Sequence, residues 1–181
     1  MSRQTAIILA ITSILSLFFV IICCAGVVLL GKQSMVIDPT ELASTASRIT
    51  DFDIPPGYSL ISGSKLFNSL SVRLVDKSGN SIIRIIQEKT NVSSPDTYLR
   101  QSISPISYRD VRWEAVETRT IMVRGKSTTL TVYTGTRPDD TKYHAWACAF
   151  DGKGGPAKLV IIAPEAIWDE AAMQAFVDSM L

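Results

Sequence analysis

Residues 113–163 read WEAVETRTIMV, RGK, STTLTVYT, GTRPDDTK, YHAWACAF, DGKGGP and AKLVIIA in turn. Apolar and polar side chains alternate along Trp113–Val123, the period of a strand with one wet face. Arg124-Gly125-Lys126 is a hairpin turn that returns the chain as Ser127–Thr134. Tyr143–Phe150 and Ala157–Ala163 repeat the pattern around Asp151-Gly152-Lys153-Gly154-Gly155. Connections this short join antiparallel neighbours, so four strands form one antiparallel meander.

Upstream the same grammar gives two more strands. Leu70, Val72 and Leu74 alternate with Ser71 and Arg73, and Asp76-Lys77-Ser78-Gly79-Asn80 turns them into Ile82–Gln87. Helices punctuate the set. Asp38-Pro39 is an N-cap followed by proline at the first helical position, and Leu42, Ala46 and Ile49 follow at helical spacing. Ser94-Pro95 opens a second helix with Leu99 and Ile103 four apart, and Asp169 caps a third through Ala172, Met173, Phe176, Val177 and Met180. The expected fold is α+β: an antiparallel sheet of about six strands flanked by helices, plus one N-terminal transmembrane helix.

That helix is read from Ala6 to Leu30, where no residue is charged and only Thr12, Ser13 and Ser16 are polar. As a helix the run spans about 37 Å, longer than the ~30 Å hydrocarbon core. A cleaved signal peptide has a shorter apolar core, about 7–15 residues, ending at a small-x-small site. Here Val27-Val28-Leu29-Leu30 runs on past Ala25-Gly26. A lipoprotein signal wants a small residue before the modified cysteine, but Ile22 precedes Cys23. The expected organisation is a short tail at 1–5, a transmembrane helix at 6–30, a linker at 31–37 and a single extracytoplasmic domain at 38–181. Arg3 and the amino terminus make the short flank positive and favour that orientation. In a bacterium the domain would be periplasmic or on the cell surface. From Asp38 onward it is expected to fold alone as a monomer.

The 18 basic and 17 acidic side chains leave a net charge of +1, and setting Arg3 aside brings the remainder to zero. A neutral domain lacks the basic footprint of nucleic-acid binding. The locally basic stretch from Arg109 to Arg137 reads as alternating charges on wet strand faces.

Ile49-Thr50-Asp51-Phe52-Asp53-Ile54-Pro55-Pro56-Gly57-Tyr58 resembles the F-x-(I/L)-P-x-G opening segment of PsbP-like and DcrB-like domains. Leu159–Ala163 and the helix ending Phe176-Val177-Asp178-Ser179-Met180-Leu181 resemble their closing strand and packing helix. The resemblance implies an α/β/α sandwich and a non-catalytic accessory or binding module. It carries no site residues with it, because fold does not set function.

No residue pattern specifies a catalytic centre, a metal site or a cofactor, and none is assigned. His144, the sole histidine, shares a strand face with Trp146, Cys148 and Phe150. Four strand residues separate His144 from Cys148 by roughly 13 Å, too far for a nucleophile and its base, so Cys148 reads as a small buried apolar residue. Asp51 with Asp53, and Asp139 with Asp140, offer oxygens but fewer than the 6–8 that Ca²⁺ gathers, as an order of magnitude. Asp139-Asp140 after Pro138 reads as a turn. Gly152–Gly155 joins two strands, whereas a phosphate loop leads into a helix. Asn91-Val92-Ser93 fits a glycosylation acceptor in a eukaryotic secretory pathway. Trp113, Tyr143, Trp146 and Trp168 read as core or rim aromatics. The expected function is therefore a membrane-anchored, non-enzymatic binding or accessory module, with the membrane and an envelope protein as partners. The alternatives are an unadvertised enzyme or small-ligand binder, or a structural subunit pairing through its transmembrane helix.

Overall fold

A computed structural model describes Ser16 and residues 35–66, 69–89, 94–102, 108 and 110–181. The chain divides into two units, 1–35 and 36–181. The transmembrane helix expected at 6–30 lies outside the described residues except for Ser16. Among the described residues no helix is long and apolar enough to cross a membrane.

The elements are β1 (Met35–Val36), α1 (Pro39–Ile49), β2 (Tyr58–Leu66), β3 (Ser69–Asp76), β4 (Ile82–Gln87), α2 (Pro95–Ser102), β5 (Arg112–Val123), β6 (Lys126–Thr136), β7 (Lys142–Gly152), β8 (Gly155–Pro164) and α3 (Glu170–Asp178). The strands form one sheet in the order β1-β2-β3-β4-β8-β7-β6-β5. Every pairing from β2 across to β5 is antiparallel. Two meanders, β2–β4 and β5–β8, thus lie side by side along the β4–β8 seam.

The sheet corrects the expected six strands to eight among the described residues. Tyr58–Leu66 escapes pattern reading because Ile61 is bulged out between Leu60 and Ser62. The bulge breaks the two-residue period, and Gly63 and three serines dilute the apolar signal. β1 has two residues and no readable period. The helices are also less of a covering than expected. They span 11, 8 and 9 residues, against 12 in the longest strand. Edge strand β5 keeps Glu114–Thr118 exposed on both faces.

The helices form where side chains can terminate them. Asp38 accepts a hydrogen bond from Glu41 N at 2.9 Å and Asp169 accepts one from Ala172 N at 3.0 Å, satisfying amides that have no partner within the helix. α1 and α3 lie on one face of the sheet, where Leu42, Ala46, Ile49, Met173, Phe176 and Val177 are buried. All but Leu42 belong to the same cluster as Val72, Leu74, Ile83, Ile85, Trp146, Leu159 and Ile161. α2 lies on the other face, where Tyr98 and Leu99 cover Val160, Ile162, Ala145 and Ala147. Ala157–Ala163 is buried throughout because β8 is central and covered from both sides.

Two contacts fix the margins. A Cβ on Gly135 would stand 2.5 Å from Val111 Cγ1 and 2.7 Å from Trp113 Cε3. The Trp113 ring, cross-strand from Gly135, therefore lies on bare backbone. At the C-terminus, Leu181 N donates to Asp51 O at 2.9 Å and Thr50 Oγ1 donates to Leu181 O at 2.9 Å. These bonds tie the end of the chain to the segment after α1.

Candidate functional site

In the β3–β4 ladder Arg73 stands directly opposite Arg84. The alternation that sends Val72, Leu74, Ile83 and Ile85 into the core beneath α1 sends both arginines to the α2 face. α2 packs on β7 and β8, and on the same face Val75 of β3 and Ile82 of β4 are buried in one cluster with Tyr98, Leu99 and Tyr108. The arginines sit in a row of cross-strand neighbours, with Ser62 opposite Arg73 and Val160 opposite Arg84. The next row contains Ser64, Ser71, Ile86 and Lys158. The Ser64 and Ser71 hydroxyls bond each other at 2.8 Å.

The three cations of this corner are not alike. Lys158, 3% exposed, meets Glu88 at 2.8 Å and lies 5.3 Å from the centre of the Tyr98 ring. Its charge is answered locally. Among the described residues Arg73 and Arg84 have no ion pair, and Arg73 Nε is buried without a hydrogen-bond partner. Asp76, at the end of β3, spends its carboxylate on Ser78 N at 3.1 Å and Ser81 N at 2.7 Å.

This arrangement is costly. Side chains directly opposite in a sheet start about 5 Å apart, and like charges there repel. At an effective dielectric of 20–40 and separations of about 5–7 Å, two unit charges repel by roughly 1–3 kcal/mol. Burial, and then the charge on Arg73, hold the Arg84 guanidinium below its ordinary pKa. The orphaned Nε adds a desolvation cost of about 1–3 kcal/mol. An anion seated between the two guanidiniums removes both penalties and receives charge-assisted hydrogen bonds.

The residues singled out in the sequence are dispersed. His144 is at the rim of the opposite face, where its ring lies against Trp168 at 5.4 Å and its Nε2 is 3.8 Å from Glu165. Cys148 is fully buried in the core between Leu130 and Leu159. Burial pushes its thiol up to about 12, so no thiolate forms near neutrality. Asp51 pairs with Lys153 at 2.5 Å, whereas the backbone N–H of Asp53 donates to Ser179 Oγ at 3.0 Å. Asp139 accepts from Thr141 N at 3.1 Å, and Asp140 takes a positive φ of 63°. These two residues make the expected turn. It borders a shallow groove of about 330 Å³ lined by Asp110, Arg112, Thr136, Arg137, Pro138 and Asp140.

Gly152–Gly155 is a hairpin connection, with Gly154 N donating to Gln87 Oε1 at 3.0 Å. Asn91-Val92-Ser93 lies outside the described residues. The four aromatics separate by face. Trp113 and Tyr143 meet at 6.3 Å on the α2 side, and Trp146 and Trp168 meet at 5.4 Å on the other. In the basic stretch Arg119 is held by Glu117 and Glu170, and Lys126 by Asp151. Arg124 Nε is likewise buried without a partner, although its Nη1 donates to Asp151 O at 2.8 Å; what distinguishes Arg73 and Arg84 is that they stand directly opposite each other.

Sequence reasoning passed over that pair, although a signal was present. Arg84 interrupts Ile82-Ile83-Arg84-Ile85-Ile86, an otherwise apolar run. Folding the chain about the Asp76–Asn80 loop brings position 73 to position 84.

No family model matches this chain, and no curated protein does. Among solved structures it is similar to the solution structure of cyanobacterial PsbP (CyanoP) from Synechocystis sp. PCC 6803. The identity is 11%, the match covers 74% of this chain and 92% of that one, and the TM-score is 0.47. The resemblance is one of fold.

Proposed function

We propose that this chain is a non-enzymatic binding module, held at a membrane by residues 6–30, whose domain receives an anionic ligand at Arg73 and Arg84. The observation that carries the ligand half is the opposed arginine pair, which has no ion pair among the described residues, with its orphaned Nε. A pair meant only to support the fold would be answered by a carboxylate, as Lys158 is by Glu88. Support for the membrane half is the uncharged run from Ala6 to Leu30, with Arg3 favouring an extracytoplasmic domain. Bound in this way, the module would serve as an accessory subunit to an envelope protein that supplies or uses the ligand.

The test takes the full chain in neutral detergent through thermal unfolding with a panel of small anions at fixed ionic strength. A ligand at about 100 times its Kd adds about 2.7 kcal/mol, which raises Tm by roughly 5–10 °C in a domain of this size. At least one anion should do so beyond chloride, and the gain should vanish in the Arg73→Met/Arg84→Met double variant. Deleting residues 6–30 should release the domain from the membrane fraction. A Tm indifferent to every anion would sink the binding reading. A deletion variant that stays in the membrane would sink the anchor.

A further inference from the structure

We infer that the group seated between Arg73 and Arg84 is a phosphate monoester or inorganic phosphate, a compact dianion, rather than a carboxylate. This rests on the reading of the pair as an anion site.

Charge is the first argument. Two adjacent guanidiniums present two positive charges that nothing among the described residues offsets. A carboxylate or a phosphodiester brings one negative charge and leaves one cation unanswered at short range. A phosphate monoester brings about −1.5 to −2 at pH 7 and three strong acceptor oxygens, which is the count the pair requires.

Geometry is the second argument. Each guanidinium is a planar fork that can give two parallel N–H bonds. Two forks rooted about 5 Å apart on adjacent strands are close enough to reach different oxygens of one tetrahedral group. A planar carboxylate has two oxygens and is saturated by one fork. The surroundings add a hydroxyl donor, since Ser62 is cross-strand from Arg73. Glu88, just beyond the end of β4, has its charge met by Lys158 at 2.8 Å, and Asp76 at the end of β3 is engaged by the Ser78 and Ser81 amides, so repulsion of the incoming anion is reduced. The pair sits on two central strands with core residues on either side in sequence. The forks are therefore anchored before ligand arrives, which limits the entropy lost on binding.

A phosphomonoester has two plausible sources, a soluble metabolite and the headgroup of a phosphatidic acid lipid, and the chemistry at the arginines is shared. Calorimetric titration of the full chain in neutral detergent separates them. The probes are inorganic phosphate, glycerol 3-phosphate, sulfate, acetate, dimethyl phosphate, and micelles carrying phosphatidic acid or phosphatidylcholine.

Phosphate, glycerol 3-phosphate and sulfate are expected to bind at least tenfold more tightly than acetate or dimethyl phosphate. Between pH 7.5 and 5 glycerol 3-phosphate should lose about tenfold in affinity, because the second pKa of a phosphate monoester is near 6. Sulfate stays doubly charged over that range and should lose much less, which controls for titration of the protein. Arg84→Met should weaken phosphate at least tenfold. Arg84→Lys, which keeps the charge and loses the fork, should fall between the two, with unchanged circular dichroism in both variants. Binding of phosphatidic acid micelles but not phosphatidylcholine would support the chemistry and place its source in lipid. Binding of glycerol 3-phosphate alone would support it and place the source in solution. If acetate or dimethyl phosphate binds as tightly as phosphate, the dianion inference fails and the anion site stands. If no probe binds, both fail.

Discussion

Alanine in place of Trp146 is expected to lower the unfolding free energy by about 3–5 kcal/mol, the usual cost of emptying a buried aromatic site. Trp146 is 1% exposed and sits in the middle of β7 between Val132 of β6 and Ile161 of β8. Its ring meets the edge of Trp168 at 5.4 Å and lies 5.9 Å from the Arg119 guanidinium. Close packing at interior density leaves little slack to absorb the loss. The neighbours are held by hydrogen-bonded strands on both sides, so the walls of the cavity cannot collapse inward. The loss should show in urea as a lower midpoint at unchanged slope, and on heating as a Tm lower by roughly 10–15 °C. A cost under about 1 kcal/mol would mean that Trp146 is not the centre of this core.

The opposite sign is expected at the arginine pair. Replacing Arg84 with methionine keeps most of the apolar stem that packs along the sheet and removes the charge facing Arg73. Without ligand this should stabilise the domain by about 1–2 kcal/mol, part of the 1–3 kcal/mol that repulsion costs. Most substitutions destabilise, so a gain at a half-buried, central position is diagnostic. It means the wild-type residue is retained for something other than the fold. The same variant should lose the stabilisation that phosphate gives the wild type. Function bought at the expense of stability is the usual pattern at binding sites.

Much of the fold was legible in particular residues. Asp38-Pro39 and Asp169 announced α1 and α3, because a carboxylate that accepts from the third amide leaves a strong local signature. Arg124-Gly125 announced the β5–β6 turn, where both residues take positive φ. β2 was illegible because its bulge at Ile61 shifts alternate side chains by one position. The strand order was legible only in part. Hairpins reveal their own partners, but the β4–β8 pairing is a long-range choice that no local pattern records. The site was hidden for the same reason. Arg73 and Arg84 look like two ordinary wet-face charges until register sets them opposite each other. What makes them informative is that no carboxylate among the described residues pairs with them, which is visible only once neighbours are assigned. His144 and Cys148 drew attention for their chemistry, yet the fold places one at a rim and the other in the core.

The most direct measurement is a double-mutant cycle on Arg73 and Arg84. Unfolding free energies of the wild type, Arg73→Met, Arg84→Met and the double variant would be taken at low ionic strength in chloride, with phosphate and sulfate excluded. Opposed and unanswered charges predict that each single substitution stabilises and that the second adds little once the first is made. The coupling between the two arginines is then unfavourable, within the 0.5–3 kcal/mol, as an order of magnitude, seen for residues in contact. A coupling of zero, or a favourable one, would contradict the charge-strained anion site and return both arginines to the fold.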